Sequence, residues 1–237
     1  MVGSLEIERS QIMDISVIIP TLNEADRIEQ TIQRLRECGA CEIVIVDGGS
    51  TDGTLERTGN ADLAIAGPRG RALQQNHGAE RSRGDVLLFL HADCELQPGS
   101  LEAIRSALQD TRVVGGCFYQ QITAAGLVYR SLEWGNALRV RLAGWAYGDQ
   151  GIFVRRCVFE SLDGFPILAL MEDLYFSKRL KRKGPLRLLR NPPLLVSPRR
   201  WQQQGVFRQT LRNWCLIGLA MIGVPPHRLA QLYPHIR

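Results

Sequence analysis

The chain has no run approaching the roughly 20 apolar residues that a membrane-spanning helix needs. Its opening segment, Met1–Asp14, is polar and lacks the apolar stretch of a secretion signal. These two absences exclude an obvious integral membrane or exported protein, and a cytoplasmic one is expected. A strong charge of either sign is missing too. The 237 residues hold 29 Lys plus Arg against 24 Asp plus Glu, a formal charge of +5. That balance suits an anionic substrate or membrane surface and is too weak to argue for nucleic acid. The six cysteines, at 38, 41, 94, 117, 157 and 215, make no disulfide framework in a chain this long. Cys38-Gly-Ala-Cys41 has redox-pair spacing but falls between a helix and the next strand, whereas thiol activation needs a helix N-terminus. These thiols are therefore read as reduced. Repeats and low-complexity segments are also lacking. What remains is an ordinary globular composition, 45% hydrophobic and 22% charged, with ample material for a buried core.

The first half alternates two kinds of segment. Ile15–Ile19, Glu42–Val46, Asp62–Ala66 and Val86–Leu90 are short apolar runs of the kind that form buried parallel strands. Between them lie helical patterns: one capped by Asn23 with Ile28, Ile32 and Leu35 on its face, a short one from Ser50 or Thr51 to about Arg57, and Arg71–Arg83. A fourth helix is expected over Ser100–Leu108. Such alternation builds a mostly parallel α/β sheet flanked by helices. The second half is less regular. A strand is expected over Val113–Ile122, a helix over Leu127–Leu142, a loop at Gly148–Gly151, a short apolar piece at Ile152–Val154 and a basic helix from Met171 to Lys183. Arg187–Leu189 and Leu194–Val196 read as two short strands. The tail from Gln204 is helical, with Phe207, Leu211, Trp214 and Gly218 on one stripe that suits packing against the sheet.

Ligands of parallel sheets bind beyond the carboxyl ends of the strands. Polar clusters sit at three such ends: Thr21–Glu24, Asp47–Asp52 and His91–Asp93. Helix capping explains part of this, but caps do not need an acidic residue ending separate strands.

These residues carry a resemblance. Ile18-Ile19-Pro20-Thr21-Leu22-Asn23-Glu24, then Val46-Asp47-Gly48-Gly49-Ser50-Thr51-Asp52-Gly53-Thr54, resemble the start of a family 2 glycosyltransferase. Gly70–Ala79, Gly84–Asp93 and Met171-Glu172-Asp173-Leu174 continue it in the family's order and spacing, over about residues 14–185. Arg199-Arg200-Trp201 further resembles a bacterial subgroup linked to arsenosugar biosynthesis.

The resemblance implies a GT-A fold, Rossmann-like, with an N-terminal extension (1–13), a glycosyltransferase domain (14–198) and a helical tail (199–237). Within the domain it implies a nucleotide-binding half (about 14–110) and an acceptor half (about 111–198). It implies inverting transfer of a sugar from a nucleotide-sugar donor, with uridine the favoured base, to an acceptor hydroxyl. Donor contacts are expected from Pro20, Thr21, Asn23, Glu24, Asp47, Gly49, Ser50, Asp52, Arg71, Asn76, His91, Ala92 and Asp93. A carboxylate such as Asp47 can accept from the N–H of a uracil-like base. Asp149, Gln150 and Glu172 are expected on the acceptor side, and Asp173 as the catalytic base. A divalent cation, Mn²⁺ or Mg²⁺, suits a departing diphosphate and a hard oxygen ligand such as Asp93. One departure stands out: the family's Asp-x-Asp reads His91-Ala92-Asp93 here, which leaves His91 open between ribose contact, metal ligation and space filling.

Other features have plainer readings. Trp134, Trp145, Tyr147 and Phe153 are core or wall before they are sugar-stacking residues. The run Lys178–Lys183 is a solvated helix face, and His227 and His235 are surface histidines. Two alternatives differ in class. A nucleotidyltransferase wants a glycine-rich basic loop after the first strand, where this chain has Pro-Thr-Leu-Asn-Glu. A non-catalytic membrane- or partner-binding module is suggested by the tail, whose Phe207, Leu211 and Trp214 with Arg199, Arg200, Arg208 and Arg212 suit anionic lipid, as in peripheral contact at the inner face of a membrane.

Overall fold

The computed structural model describes residues 13–40 and 42–231. Most of the expected N-terminal extension, Cys41 and His235 therefore lie outside the described residues. The apolar runs of the first half become the strands Ile15–Thr21 (β1), Glu42–Asp47 (β2), Leu63–Ala66 (β3) and Val86–Phe89 (β4). They pair in parallel in the order β3-β2-β1-β4. Helices Ile28–Glu37 (α1) and Arg71–Arg81 (α2) connect them. Side chains of β1 alternate between two cores: Ile15, Val17 and Ile19 meet Ile28, Ile32 and Leu35 of α1, while Ile18 meets Ala72 and Ala79 of α2. Fully burying each such aliphatic side chain is worth about 1.5–3 kcal/mol. Helix α2 lies unusually close to the sheet because Gly78 has no side chain. A Cβ there would stand 2.6 Å from Ile18 Cγ2 and 3.0 Å from Val46 Cγ2.

The same sheet continues through the second half and there becomes mixed. Its order is β3-β2-β1-β4-β7-β6-β8-β5, with Cys94–Glu95 (β5), Gly115–Ile122 (β6), Ile152–Arg155 (β7) and Leu186–Val196 (β8). Strand β7 runs antiparallel to both β4 and β6, and β8 runs parallel to β6. Helices Ser100–Leu108 (α3), Leu127–Ala143 (α4), Arg156–Glu160 (α5) and Glu172–Lys183 (α6) pack on it. Arg199–Gln204 (α7), Val206–Met221 (α8) and Pro226–Gln231 (α9) form the tail.

Several expectations are corrected. Asn23 does not cap α1: its φ is +55°, and the helix begins at Ile28 with no side-chain cap. The helix expected up to Arg57 is a single 3₁₀ turn, Leu55–Arg57. The two short strands near 187 and 194 are one, β8. Pro192 and Pro193 interrupt the sequence pattern, and a register irregularity opposite Phe118–Gln120 accommodates them. The tail stripe faces outward: Leu211 and Trp214 are 67% and 69% exposed. Helix α8 packs instead through Leu216 and Ala220, against Leu229 of α9 and beside Leu170 and Met171. Trp134 is likewise exposed, whereas Phe153 is wholly buried. Among the described residues no helix is long and apolar enough to cross a membrane. The five described cysteines are free, and burial pushes the Cys38 thiol up, the opposite of activation.

Candidate active site

Strand direction decides what meets at the site. Parallel β1, β2 and β4 release Thr21, Asp47 and His91 at the same sheet edge. Because β7 is antiparallel to β4, with Ile152 opposite Phe89, the turn Gly148–Gln150 that precedes β7 arrives at that edge too. Strand β6 then carries Gln120, and β8 carries Val196 and Ser197, to the same place.

The first two strand ends are stitched together. Asn23 donates its backbone N–H to Ser50 Oγ (2.8 Å), and its side-chain oxygen accepts from Thr51 N–H (2.9 Å). Glu24 N–H donates to Thr54 Oγ1 (2.8 Å), and Ala25 N–H to Asp52 (3.0 Å). The Thr54 hydroxyl and backbone donors hold the Asp52 carboxyl below its ordinary range. Asp47 is only 3% exposed and accepts from Thr21 Oγ1 (3.1 Å), Gly49 N–H (3.0 Å), Ser50 N–H (2.8 Å) and the Ser50 hydroxyl. Four donors use up the capacity of one carboxylate. Asn23, Asp47, Gly49, Ser50 and Asp52 thus shape the loops, and the free base-accepting carboxylate expected at 47 is occupied by its own loop.

A crevice opens beside this frame. Pro20, Thr21, Glu24, Arg71, His91 and Asp93 line it, with Ala92 between the last two. Asp93 also lines the two neighbouring clefts, so it stands where all three meet. Asn76 is not brought there: both ends of its amide bond Phe165, Nδ2 donating to the carbonyl (2.9 Å) and Oδ1 accepting from the N–H (2.8 Å). Gln74, absent from the sequence expectations, reaches under the frame and donates to the carbonyls of Thr21 and Val46, both at 2.8 Å. Its signal was in plain view, three residues after Arg71 on the face of a helix that begins at the site.

Across the crevice, Asp173 opens α6 next to Glu172, after Met171 in the left-handed region (φ +66°). Asp173 Oδ2 accepts from Gly148 N–H at 2.6 Å. Gly148 has to be glycine, since a Cβ would stand 2.5 Å from His91 Nε2 and 3.4 Å from Asp173 Oδ2. His91, Gly148 and Asp173 are therefore in direct succession. Burial, then the neighbouring Glu172 carboxylate, push the Asp173 carboxyl up to about 6. Glu172 itself is buried and ion-paired with Arg71 at 3.3 Å, which joins an expected donor residue to an expected acceptor residue. Asp149 faces the same cavity and accepts from Gln120 Nε2 (3.0 Å). Gln150 does not: it is wholly buried, accepting from Arg139 (2.9 Å) and Tyr147 N–H (3.1 Å). Arg139, which sequence patterns did not single out, also stacks 3.6 Å over the ring of Tyr147, expected as core or wall. His227 is exposed on α9 and reaches no cavity at the site.

Among the described residues no three His, Cys, Asp or Glu side chains gather as a cation cage. The donor set does fit a hard cation bound in another way, by one carboxylate with the remaining ligands taken from phosphates and water, as Mg²⁺ commonly is. Asp93, which lines all three clefts, is the carboxylate placed to serve in that way.

The polar strand ends and the buried acidic pair opposite them are arranged as the resemblance to sugar-transfer enzymes implies. Residues 16–159 match the family described as Glycosyl transferase family 2, and the chain belongs to that family. It is 34% identical to Glycosyltransferase AglE of Haloferax volcanii over 92% of its length and 84% of that protein. It is 31% identical to the undecaprenyl-phosphate 4-deoxy-4-formamido-L-arabinose transferase of Pseudomonas aeruginosa, over 60% of this chain and 46% of that one. The chain therefore spans most of the archaeal relative and about half of the second. In fold it is similar to S. aureus TarS 1–349, solved in complex with UDP-GlcNAc, with a TM-score of 0.61 over 78% of this chain and 58% of that one at 17% identity.

Proposed function

We propose that the protein moves a sugar from a nucleoside diphosphate donor to an acceptor hydroxyl with inversion, and that Asp173 is the general base. The observation that carries this reading is Asp173 itself: a carboxyl raised to about 6, oriented by Gly148 N–H, facing the cavity that also holds Asp93 and Arg71. A base works best with a pKa near the operating pH. In the reaction, the acceptor oxygen forms a bond to the anomeric carbon while its proton passes to Asp173 Oδ. The bond from that carbon to the diphosphate oxygen breaks on the opposite face, and the leaving group takes the electron pair. Arg71, held by Glu172, offers positive charge to the diphosphate. Asp93 would hold a divalent cation, which when bound offsets the charge developing on the diphosphate.

The frame of Asp47, Asn23, Ser50 and Asp52 fixes the loops that border the crevice in which the nucleoside would sit. The UDP-bound state of the TarS fold relative and the crevice beside Thr21 both support a uridine donor. The test is Asp173→Asn, with turnover measured as nucleoside diphosphate released from a panel of nucleotide sugars. Turnover should fall by roughly 10²–10⁴-fold while UDP binding with Mn²⁺ is kept. Wild-type turnover would end the proposal.

A second reading accompanies the first because the tail stripe is exposed. Leu211, Trp214 and Ile222 on the outside, with Arg208 among them, suit a peripheral contact with an anionic membrane surface at its cytoplasmic face. Anionic liposomes should float the protein, and Trp214→Ser should weaken that flotation. Equal flotation of the two would remove the membrane contact.

A further inference from the structure

We propose that α8 is the acceptor-recognising wall of the site and that Gln209 Oε1 accepts a hydrogen bond from an O–H or N–H of the acceptor. This inference rests on the glycosyl-transfer reading and adds the chemical class of the acceptor. The cavity that contains Asp93 and Asp173 is closed on its far side by the tail, through Trp201, Gln209, Asn213, Leu216 and Ile217. It measures about 130 Å³, close to the roughly 150 Å³ that accommodates a single six-membered ring. One ring of an acceptor therefore fits, and the rest of the molecule continues outward.

Gln209 is the unusual member of this wall. It is 5% exposed, and its Oε1 has no hydrogen-bond partner among the described residues. Buried amide oxygens in folded proteins are nearly always satisfied, so an unsatisfied one on a residue that lines a cavity points to a group supplied from outside. Helix α8 is anchored by Leu216 and Ala220 against Leu229, Leu170 and Met171. That small core also touches Met171, immediately before Glu172 and Asp173, so α8 is registered against the proposed base. The rest of the tail's lining is mostly apolar, Trp201, Leu216 and Ile217 with Asn213 beside them. A hydroxylated ring with an apolar body satisfies both surfaces, and a wholly polar acceptor would leave the second one wet. The assigned class is an amphipathic alcohol.

Octyl β-D-glucoside, kept below its micelle concentration, combines those two features and serves as the probe. Its binding to the full-length chain is followed by saturation-transfer NMR, and UDP binding with Mn²⁺ is measured on the same samples. Gln209→Met removes the accepting oxygen at similar volume, and Gln209→Glu keeps an oxygen there. The wild type should bind the probe, Gln209→Met should weaken it at least five-fold, Gln209→Glu should stay within two-fold, and UDP affinity should be equal in all three. Equal probe binding by Gln209→Met, or no probe binding by a wild type that binds UDP, overturns the role of Gln209 and leaves the donor reading standing. A wild type that binds no UDP overturns the donor reading, and this inference with it.

Discussion

The two sides of the crevice are built on opposite terms. On the donor side, polar groups satisfy one another: Asn23, Asp47, Ser50, Asp52 and Thr54 close a mesh of hydrogen bonds, and the carboxyl of Asp52 is held low. On the side proposed for the acceptor, groups are kept in unfavourable states. The Asp173 carboxyl is raised beside a second carboxylate, Met171 has a left-handed backbone and Gln209 buries an unsatisfied oxygen. The contrast separates two tasks. A rigid polar mesh pre-orders loops around a ligand, whereas a proton acceptor has to be held away from its resting comfort to be reactive near neutral pH.

The sharpest way to break this contrast is Asp173→Asn, with the drop of roughly 10²–10⁴-fold in turnover given above. Its effect on stability has the opposite sign. A carboxyl whose folded pKa of about 6 lies above its ordinary 3.8 loses stability for the protein as pH rises between those values, and the loss is complete above 6. Asp173→Asn should therefore melt at or above the wild-type temperature at pH 8. A residue that merely complemented the helix dipole would melt lower when neutralised, by the equivalent of about 0.3–1 kcal/mol. Next in size is Asp93→Ala. Loss of even an outer partner commonly costs about 10–100-fold in metal affinity, so the gain that Mn²⁺ gives to UDP binding should shrink by at least that factor in calorimetry. UDP binding without metal should be unchanged.

Asp47→Ala tests the mesh itself. Several donors lose their partner at once, and each buried group left unsatisfied costs about 1–3 kcal/mol. Urea melts should show a loss of at least that size, together with weaker UDP binding. A normal melt with weak UDP binding would return Asp47 to a direct base contact. The smallest effect belongs to the exposed stripe. Trp214→Ser should change stability by less than about 0.5 kcal/mol, as surface substitutions usually do.

Legibility in the sequence follows the same division. β1, β2 and β4 were readable because strands buried on both faces are continuous apolar runs, and the acidic residues ending them marked the edge where the crevice opens. Asp93, Arg71, Asp149 and Asp173 do converge there. Less readable was what each polar residue does on arrival. Asp47 spends its hydrogen-bonding capacity on Gly49 and Ser50 of its own loop and on Thr21, 26 positions away. Asn76 spends its own on Phe165, 89 positions away. The residue types alone do not say whether a polar group serves the fold or a ligand. Strand β8 reads as two strands because prolines interrupt its pattern, although one strand continues across the register irregularity they occupy. The stripe of α8 was assigned to the wrong side because a helix with apolar residues on both faces does not say which one is covered. Gln209 carried no signal in sequence, since its interest lies wholly in being buried.

The central claim is that Asp173 accepts the proton. The most direct measurement is the pH dependence of kcat/KM between pH 4.5 and 8.5, which reports the free enzyme's essential base. Activity should fall as pH drops through about 6, following the raised carboxyl. A flat profile down to pH 4.5 in a protein that stays folded would contradict the account.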